Sequence, residues 1–244
     1  MKKRKMVAII LLASCSMGLY AQTAMEILRK ADNVMYAPKD QLADVKIILT
    51  DKRGNQQERA ARYIQKGSDK RLFKFTSPAS QRGIAFLSLP GDVIYIYLPA
   101  YERERRIASH VKNQSFAGTD FSYDDMESKP LSNEYDAELI GQTDEVWKLK
   151  LTPKPGTQSD YSRLEMEIGK DNHYMRKVIY YDRGGQKFKQ LENRKLEKID
   201  GYWAATEIEM KDVQRDRSTL FISSNLKFDS NLSDDEFTIR RMKQ

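Results

Sequence analysis

From Val45 onward the chain changes side-chain character at every second residue, and it does so repeatedly. Val45, Ile47 and Leu49 alternate with Asp44, Lys46 and, less cleanly, Ile48. Trp147, Leu149 and Leu151 alternate with Lys148 and Lys150, and Leu164, Met166 and Ile168 with Arg163, Glu165 and Glu167. Successive side chains of a strand point to opposite faces. One apolar and one charged face is the pattern of an antiparallel sheet with water on one side. Residues 56–65, 71–75, 84–89, 174–182, 186–195, 202–210 and 218–228 read as further strands. Gly67-Ser68-Asp69, Pro90-Gly91-Asp92 and Arg183-Gly184-Gly185 are turn signals, the last a strong hairpin signal. Residues 93–98 are apolar throughout, which fits a strand buried on both faces. About ten to twelve strands joined mostly by hairpins make one large antiparallel sheet or barrel.

The start of the chain is different. Lys2, Lys3, Arg4 and Lys5 precede an apolar run from Met6 to Ala13, too short to span a bilayer, which takes about 20 apolar residues. This is a secretion signal, expected over residues 1–21, with the folded domain over 22–244. Leu19-Tyr20-Ala21 before Gln22 suits ordinary signal peptidase and ends the apolar stretch cleanly, although Leu19 is larger than ideal. Leu12-Ala13-Ser14-Cys15 also reads as a lipobox, which would leave the protein lipid-anchored through Cys15. No later segment is apolar enough to cross a membrane as a helix. After the signal, Thr23-Ala24-Met25-Glu26 is a capping box. Ile27, Leu28, Ala31, Val34 and Met35 then recur at helical spacing, and Pro38 is a stop. One amphipathic helix therefore opens the mature protein.

Charge and chemistry exclude more than they suggest. Without the four signal cations, 38 Lys and Arg face 35 Asp and Glu, a balance of +3 rather than +7. That gives little reason to expect nucleic acid as a partner. Cleavage after Ala21 removes the lone cysteine, and with it any disulfide or thiolate chemistry. His110 and His173 are far apart and in no zinc spacing; no Gly-x-Ser-x-Gly elbow or phosphate loop occurs. No catalytic residue, metal or cofactor is expected. Residues 109–132 break the strand pattern, and so long a loop in a compact domain is often functional. Its Asp120, Asp124, Asp125 and Glu127 lack the spacing of a calcium loop, so a solvated loop is the expectation.

The same region carries a family resemblance. Leu98-Pro99-Ala100 is followed by Arg103-Glu104-Arg105-Arg106-Ile107, then by Ser115-Phe116-Ala117-Gly118-Thr119-Asp120-Phe121-Ser122-Tyr123-Asp124-Asp125. This resembles the LolA-like outer-membrane lipoprotein-sorting proteins, with Thr119 for the usual Ser and Asp124 for the usual Glu. Gly201-Tyr202-Trp203 and Asp235-Glu236-Phe237 also look like that family. The resemblance implies a mainly β fold: a single half-open antiparallel barrel, with an N-terminal amphipathic helix and short helices or a loop covering its concave face. It implies a periplasmic, non-catalytic carrier or binder of lipoproteins or lipids. The partners would be acyl chains, with an inner-membrane exporter or outer-membrane acceptor at either end of the route. The alternative is an accessory or sensor module that binds a membrane transporter or regulator, its barrel filled by side chains. In lipoprotein carriers an arginine is thought to gate the lid; no motif maps it here.

Candidate walls of a ligand cavity are Tyr95, Tyr97, Trp147, Leu149, Met166, Ile168, Tyr180 and Trp203, each equally compatible with an ordinary packed core. Arg103 and Arg105 share a strand face and Arg106 points the other way. Three readings of these arginines stay open. They pair with Asp120, Asp124 or Asp125 and pin the long loop; they meet anionic headgroups; or they form a charged face without a special role.

Overall fold

The computed structural model describes residues 23–244. The expected signal segment, Cys15 and both cleavage sites lie outside them. Helix α1 (residues 23–35) is followed by strands β1 (Asp40–Thr50), β2 (Gln56–Lys66), β3 (Lys70–Ser77), β4 (Ala85–Leu89), β5 (Val93–Leu98) and β6 (Arg103–Arg106). After a long connection carrying α2 (Tyr123–Met126) and α3 (Leu131–Glu134) come β7 (Tyr135–Gln142), β8 (Val146–Pro153), β9 (Tyr161–Gly169) and β10 (Met175–Asp182). The chain ends with β11 (Lys187–Ile199), β12 (Tyr202–Asp212), β13 (Arg217–Phe228) and α4 (Ile239–Lys243).

All thirteen strands form one sheet in the order β6-β5-β4-β3-β2-β1-β13-β12-β11-β10-β9-β8-β7. Every neighbouring pair is antiparallel. Two meanders thus grow in opposite directions from the β1–β13 pair. β6 and β7, consecutive in sequence, end up at the two free edges of a barrel that stays half open. These are also the two strands beyond the runs read from the sequence. β6 is four charged residues, all exposed. β7 does alternate inward at Tyr135 and Ala137, but a bulge between Leu139 and Gly141 breaks the pattern.

Register explains how each strand divides its side chains. Cross-strand partners share a face, so Tyr63, Phe73, Phe86 and Ile96 form one lateral row on the concave side. One residue on, Ile64, Leu72 and Leu87 form the matching convex row. The C-terminal segment seals that row with Phe237 and Met242. β5 is therefore buried on both faces, as its unbroken apolar run requires: Ile94 and Ile96 inward, Tyr95 and Tyr97 against the convex cluster.

Helix α1 lies in the concave side and buries Ala24, Ile27, Leu28 and Ala31 in the main core. Such an apolar stripe needs a sheet to cover, since burying each Ile or Leu is worth roughly 1.5–3 kcal/mol. Met25 also caps the open edge of β7: the Ala137 amide donates to Met25 Sδ at 3.2 Å.

Candidate functional site

The connection from β6 to β7, residues 107–134, runs through the interior of the barrel and is called the strap below. Two aromatic knobs anchor it. Phe116 is fully buried among Phe73, Phe75 and Phe86, each with its ring centre 5.6–5.7 Å away. Phe121 stacks on Phe221 of β13 at 4.5 Å. Such offset and edge-on ring pairs add to the area they bury.

Polar latches tie the strap to both halves of the sheet. On the first half, Arg59 donates to the Ala117 carbonyl at 2.5 Å and Arg71 to the Met126 carbonyl at 2.8 Å. On the second half, Arg217 Nη2 and Thr219 Oγ1 each donate to the Asp120 carboxylate at 2.7 Å. Asp125 accepts from Tyr161 OH at 2.9 Å and from Lys189 Nζ at 3.0 Å. The same carboxylate accepts the Ser122 amide and completes the capping box of α2. Helix α1 contributes Asp32, whose carboxylate accepts the Leu131 and Ser132 amides at the start of α3. Tyr36 OH donates to the Lys129 carbonyl at 2.9 Å.

The strap carboxylates are thus largely buried and paired, and the expectation of a solvated loop is corrected. Lysines neutralise them: Lys129 lies 3.0 Å from Asp124 and 3.2 Å from Glu127, and Lys112 lies 3.0 Å from Glu127 and also contacts Asp92. Burial pushes the Asp124 and Glu127 carboxyls above the usual carboxylate range. Burial alone would pull the Lys129 ammonium down, but Asp124 and Glu127 outweigh it and hold it above its ordinary value. Burial, then the Asp125 charge, pushes the Tyr161 hydroxyl well up, so it stays a donor. Among the described residues no group of three or more metal-ligating side chains occurs.

The ion pairs on Asp120, Asp124 and Asp125 are made by other cations than Arg103, Arg105 and Arg106. All three are exposed on the edge strand, without an ion pair among the described residues. Arg103 and Arg105 share the inner face with Ile96, and Arg106 shares the outer face with Tyr95, as alternation requires. The basic partners are Arg217 and Lys189, distant in sequence from the motif, and Lys129, just past its end.

Between the strap, α1 and the sheet a partly enclosed cavity of about 290 Å³ remains. Its wall is mostly apolar, from Val45, Phe73, Leu164, Leu191, Ile208 and Phe221. Of the residues singled out by pattern, Tyr180 and Trp203 line it. Leu149, Met166 and Ile168 lie on the same concave face but are filled over in the main core, with Met166 beside Leu28 and Ala31 of α1. Trp147 packs at the margin of that core and its ring sits 5.0 Å from His173. Tyr95 and Tyr97 lie on the convex side, because an all-apolar strand does not reveal which parity faces inward. Pattern gave no hint of the cavity's polar end, where Gln41, Tyr63, Gln65 and Arg71 stand together. The available signal was a polar residue at an inward position of an otherwise apolar alternation.

Comparison with known proteins agrees with this geometry. A family model described only as that of an uncharacterized protein matches residues 67–244, from the β2–β3 turn through the whole strap to the C-terminus. The chain belongs to that family. A domain assigned to the outer membrane lipoprotein-sorting proteins, from Vibrio parahaemolyticus, is 27% identical, with 92% of this chain and 100% of that one covered and a TM-score of 0.85. A DUF1329 family protein from Desulfovibrio piger is also 27% identical, over 91% of this chain and 99% of that one, with a TM-score of 0.86. A LolA superfamily protein from Nitrosomonas europaea, 21% identical over 89% and 98% of the two chains, shares the fold with a TM-score of 0.74. No curated protein matches.

Proposed function

We propose that this LolA-like protein is a periplasmic carrier or binder of lipoproteins or lipids, holding the apolar part of its ligand in the barrel and acting without catalysis or cofactor. The observation that carries this reading is the apolar cavity of about 290 Å³ left inside a sheet otherwise filled by α1 and the strap. Ordinary interiors pack with few voids larger than a water molecule. Each methylene moved from water into such a space gains roughly 0.8 kcal/mol. The strap supplies the means of release: its latches are hydrogen bonds and ion pairs, which a transporter or acceptor can exchange for its own. Likeness to a lipoprotein-sorting domain supports the same reading. Export to the periplasm rests on the N-terminal signal. Cleavage at Ala21 gives a free protein and a lipidated Cys15 an anchored one, and an intact mass separates the two.

A second reading, an accessory or sensor that binds a membrane transporter or regulator, is favoured by how much of the barrel Phe116, Phe121 and Leu28 already fill. Native mass spectrometry of the mature protein, purified gently from its own periplasm, decides between them. The carrier predicts a bound mass matching a phospholipid or an acylated peptide, released on denaturation. A clean apo mass, with no uptake of a fluorescent fatty acid added afterwards, overturns it.

A further inference from the structure

The cavity has one end unlike the rest. Gln41, Gln65 and Arg71 form a lateral row across β1, β2 and β3, with Tyr63 beside them. Gln65 Oε1 accepts from Tyr63 OH at 2.5 Å, from Arg71 Nη2 at 2.8 Å and from Arg71 Nε at 3.2 Å. A neutral carbonyl oxygen has two lone pairs, so three donors crowd one acceptor. The Tyr63 hydroxyl in turn accepts from Gln41 Nε2 at 3.1 Å. Arg71 spends three of its five N–H groups on Gln65 and the Met126 carbonyl, and two remain. Across the strand pair from Arg71, Ser88 on β4 is 1% exposed, and its Oγ has no hydrogen-bond partner. Two guanidinium N–H groups and one buried hydroxyl on this row therefore lack protein partners among the described residues.

Its charge is also unbalanced. The carboxylates that line the cavity, Asp124, Asp125 and Glu127, are each held by a lysine. Arg71 makes no ion pair with a carboxylate among the described residues; its partners are an amide, a carbonyl and the Tyr63 ring at 5.6 Å. Arg71 is partly buried at the cavity wall, and its two spare N–H groups are charge-assisted donors that an anionic group entering the cavity can take up. The cavity's volume lies at the floor of the usual range for ligand pockets, about 300–1,000 Å³. That is room for one acyl chain and not for a bundle of them.

We infer that the ligand is a single-chain amphiphile with an anionic head, a carboxylate or a phosphate, bound by Arg71 with its chain along the apolar wall. This rests on the carrier reading and narrows it. The test measures binding of dodecanoate, dodecyl phosphate, dodecanol and a two-chain phosphatidylglycerol to the delipidated mature protein by displacement of a fluorescent fatty acid. Dodecanoate or dodecyl phosphate should bind at least about tenfold tighter than dodecanol, the usual strength of a charge-assisted bond. Whichever anion binds tighter identifies the head. Phosphatidylglycerol should bind more weakly than either. Arg71→Gln should bring the anion-to-alcohol ratio close to one. Arg71 also latches the strap, so Gln65→Glu provides an independent check. It keeps the arginine, gives it a built-in carboxylate, and should abolish the anion preference while dodecanol still binds. Equal affinity of wild type for anion and alcohol, or a preference surviving in both variants, overturns the inference but not the carrier. Preferred binding of phosphatidylglycerol overturns the single-chain part. No binding of any probe overturns both.

Discussion

The two faces of this sheet are covered in opposite ways. On the convex side, Phe237 and Met242 close directly over Ile64, Leu72, Ala85 and Leu87, an apolar contact with ion pairs only at its partly exposed rim. On the concave side, the strap reaches the sheet through two aromatic knobs and a series of buried hydrogen bonds and ion pairs, and leaves a cavity behind. An apolar cover gains only by staying shut, because opening exposes its area to water. A polar cover trades bonds: each latch broken on opening is re-made with water or a partner, so the net cost per latch is about 0.5–1.5 kcal/mol. The difference marks the strap as the part built to move and the C-terminal segment as the part built to stay.

The largest effect that would break this comparison is at Phe116. Phe116→Ala should cost about 3–5 kcal/mol in urea unfolding, and Phe237→Ala on the other face a similar amount. Only Phe116→Ala should also speed protease cleavage between Ser109 and Lys129. If Phe237→Ala exposes the strap equally, the two covers are one cooperative unit and the contrast fails.

The next effect is electrostatic. Asp125 and Lys189 leave only 4% and 6% of their side chains exposed. Asp125→Ala strands a buried ammonium and should cost about 3–5 kcal/mol, whereas Asp125→Ala combined with Lys189→Met should recover most of it. A loss under about 1 kcal/mol in the single variant would mean that Lys189 reaches solvent without the strap.

These residues also show what could be read from the sequence. Wherever a strand alternates cleanly, as at Leu164, Met166 and Ile168, its inward face was visible. Arg183-Gly184-Gly185 likewise marked the β10–β11 turn, where Gly185 takes a φ of 76° that only glycine adopts freely. The motif from Ser115 to Asp125 pointed to the fold. What stayed hidden depends on long-range pairing. Asp125 and Lys189 are 64 residues apart, and Asp120 and Arg217 are 97 apart. Nothing local to either member announces its partner. The free edges were hidden for another reason: β6 buries nothing, so hydrophobic period has nothing to report. Asp32 sits inside the apolar stripe of α1, and its purpose emerges only once α3 is in place.

That last contact gives a smaller effect. Asp32→Ala orphans the Leu131 and Ser132 amides and should cost about 1–2 kcal/mol, as for a lost helix cap. Hydrogen exchange should quicken at those two amides and leave Met242, on the convex side, unchanged. Equal quickening at both places would again argue for a single unit.

Acid should separate the two covers with the mildest perturbation, and in opposite directions. In the strap, burial raises the Asp124 and Glu127 carboxyls above their ordinary values of 3.8 and 4.5. The closed strap therefore binds protons more readily than the open one, and its closure strengthens as the pH falls from neutrality toward 4.5. On the convex side, Asp234 lies 2.9 Å from Lys66 and 3.0 Å from Lys70, tying the C-terminal segment to β2 and β3. Hydrogen bonds from those lysines hold its carboxyl below 3.8, so its contribution is intact above that pH and lost beneath it. Burial raises the Asp92 carboxyl but Lys112 of the strap outweighs it and holds it down, so this strap contact too is lost only in that low range. Protease cleavage between Ser109 and Lys129 should thus slow between pH 7 and pH 4.5. The protection of the Met242 amide, the intrinsic exchange rate at each pH divided by the observed one, should stay constant across that window and fall only below about pH 3.8. A strap that loosens as the pH drops to 4.5 would mean that its lysine pairs, and not relief of buried charge, govern closure.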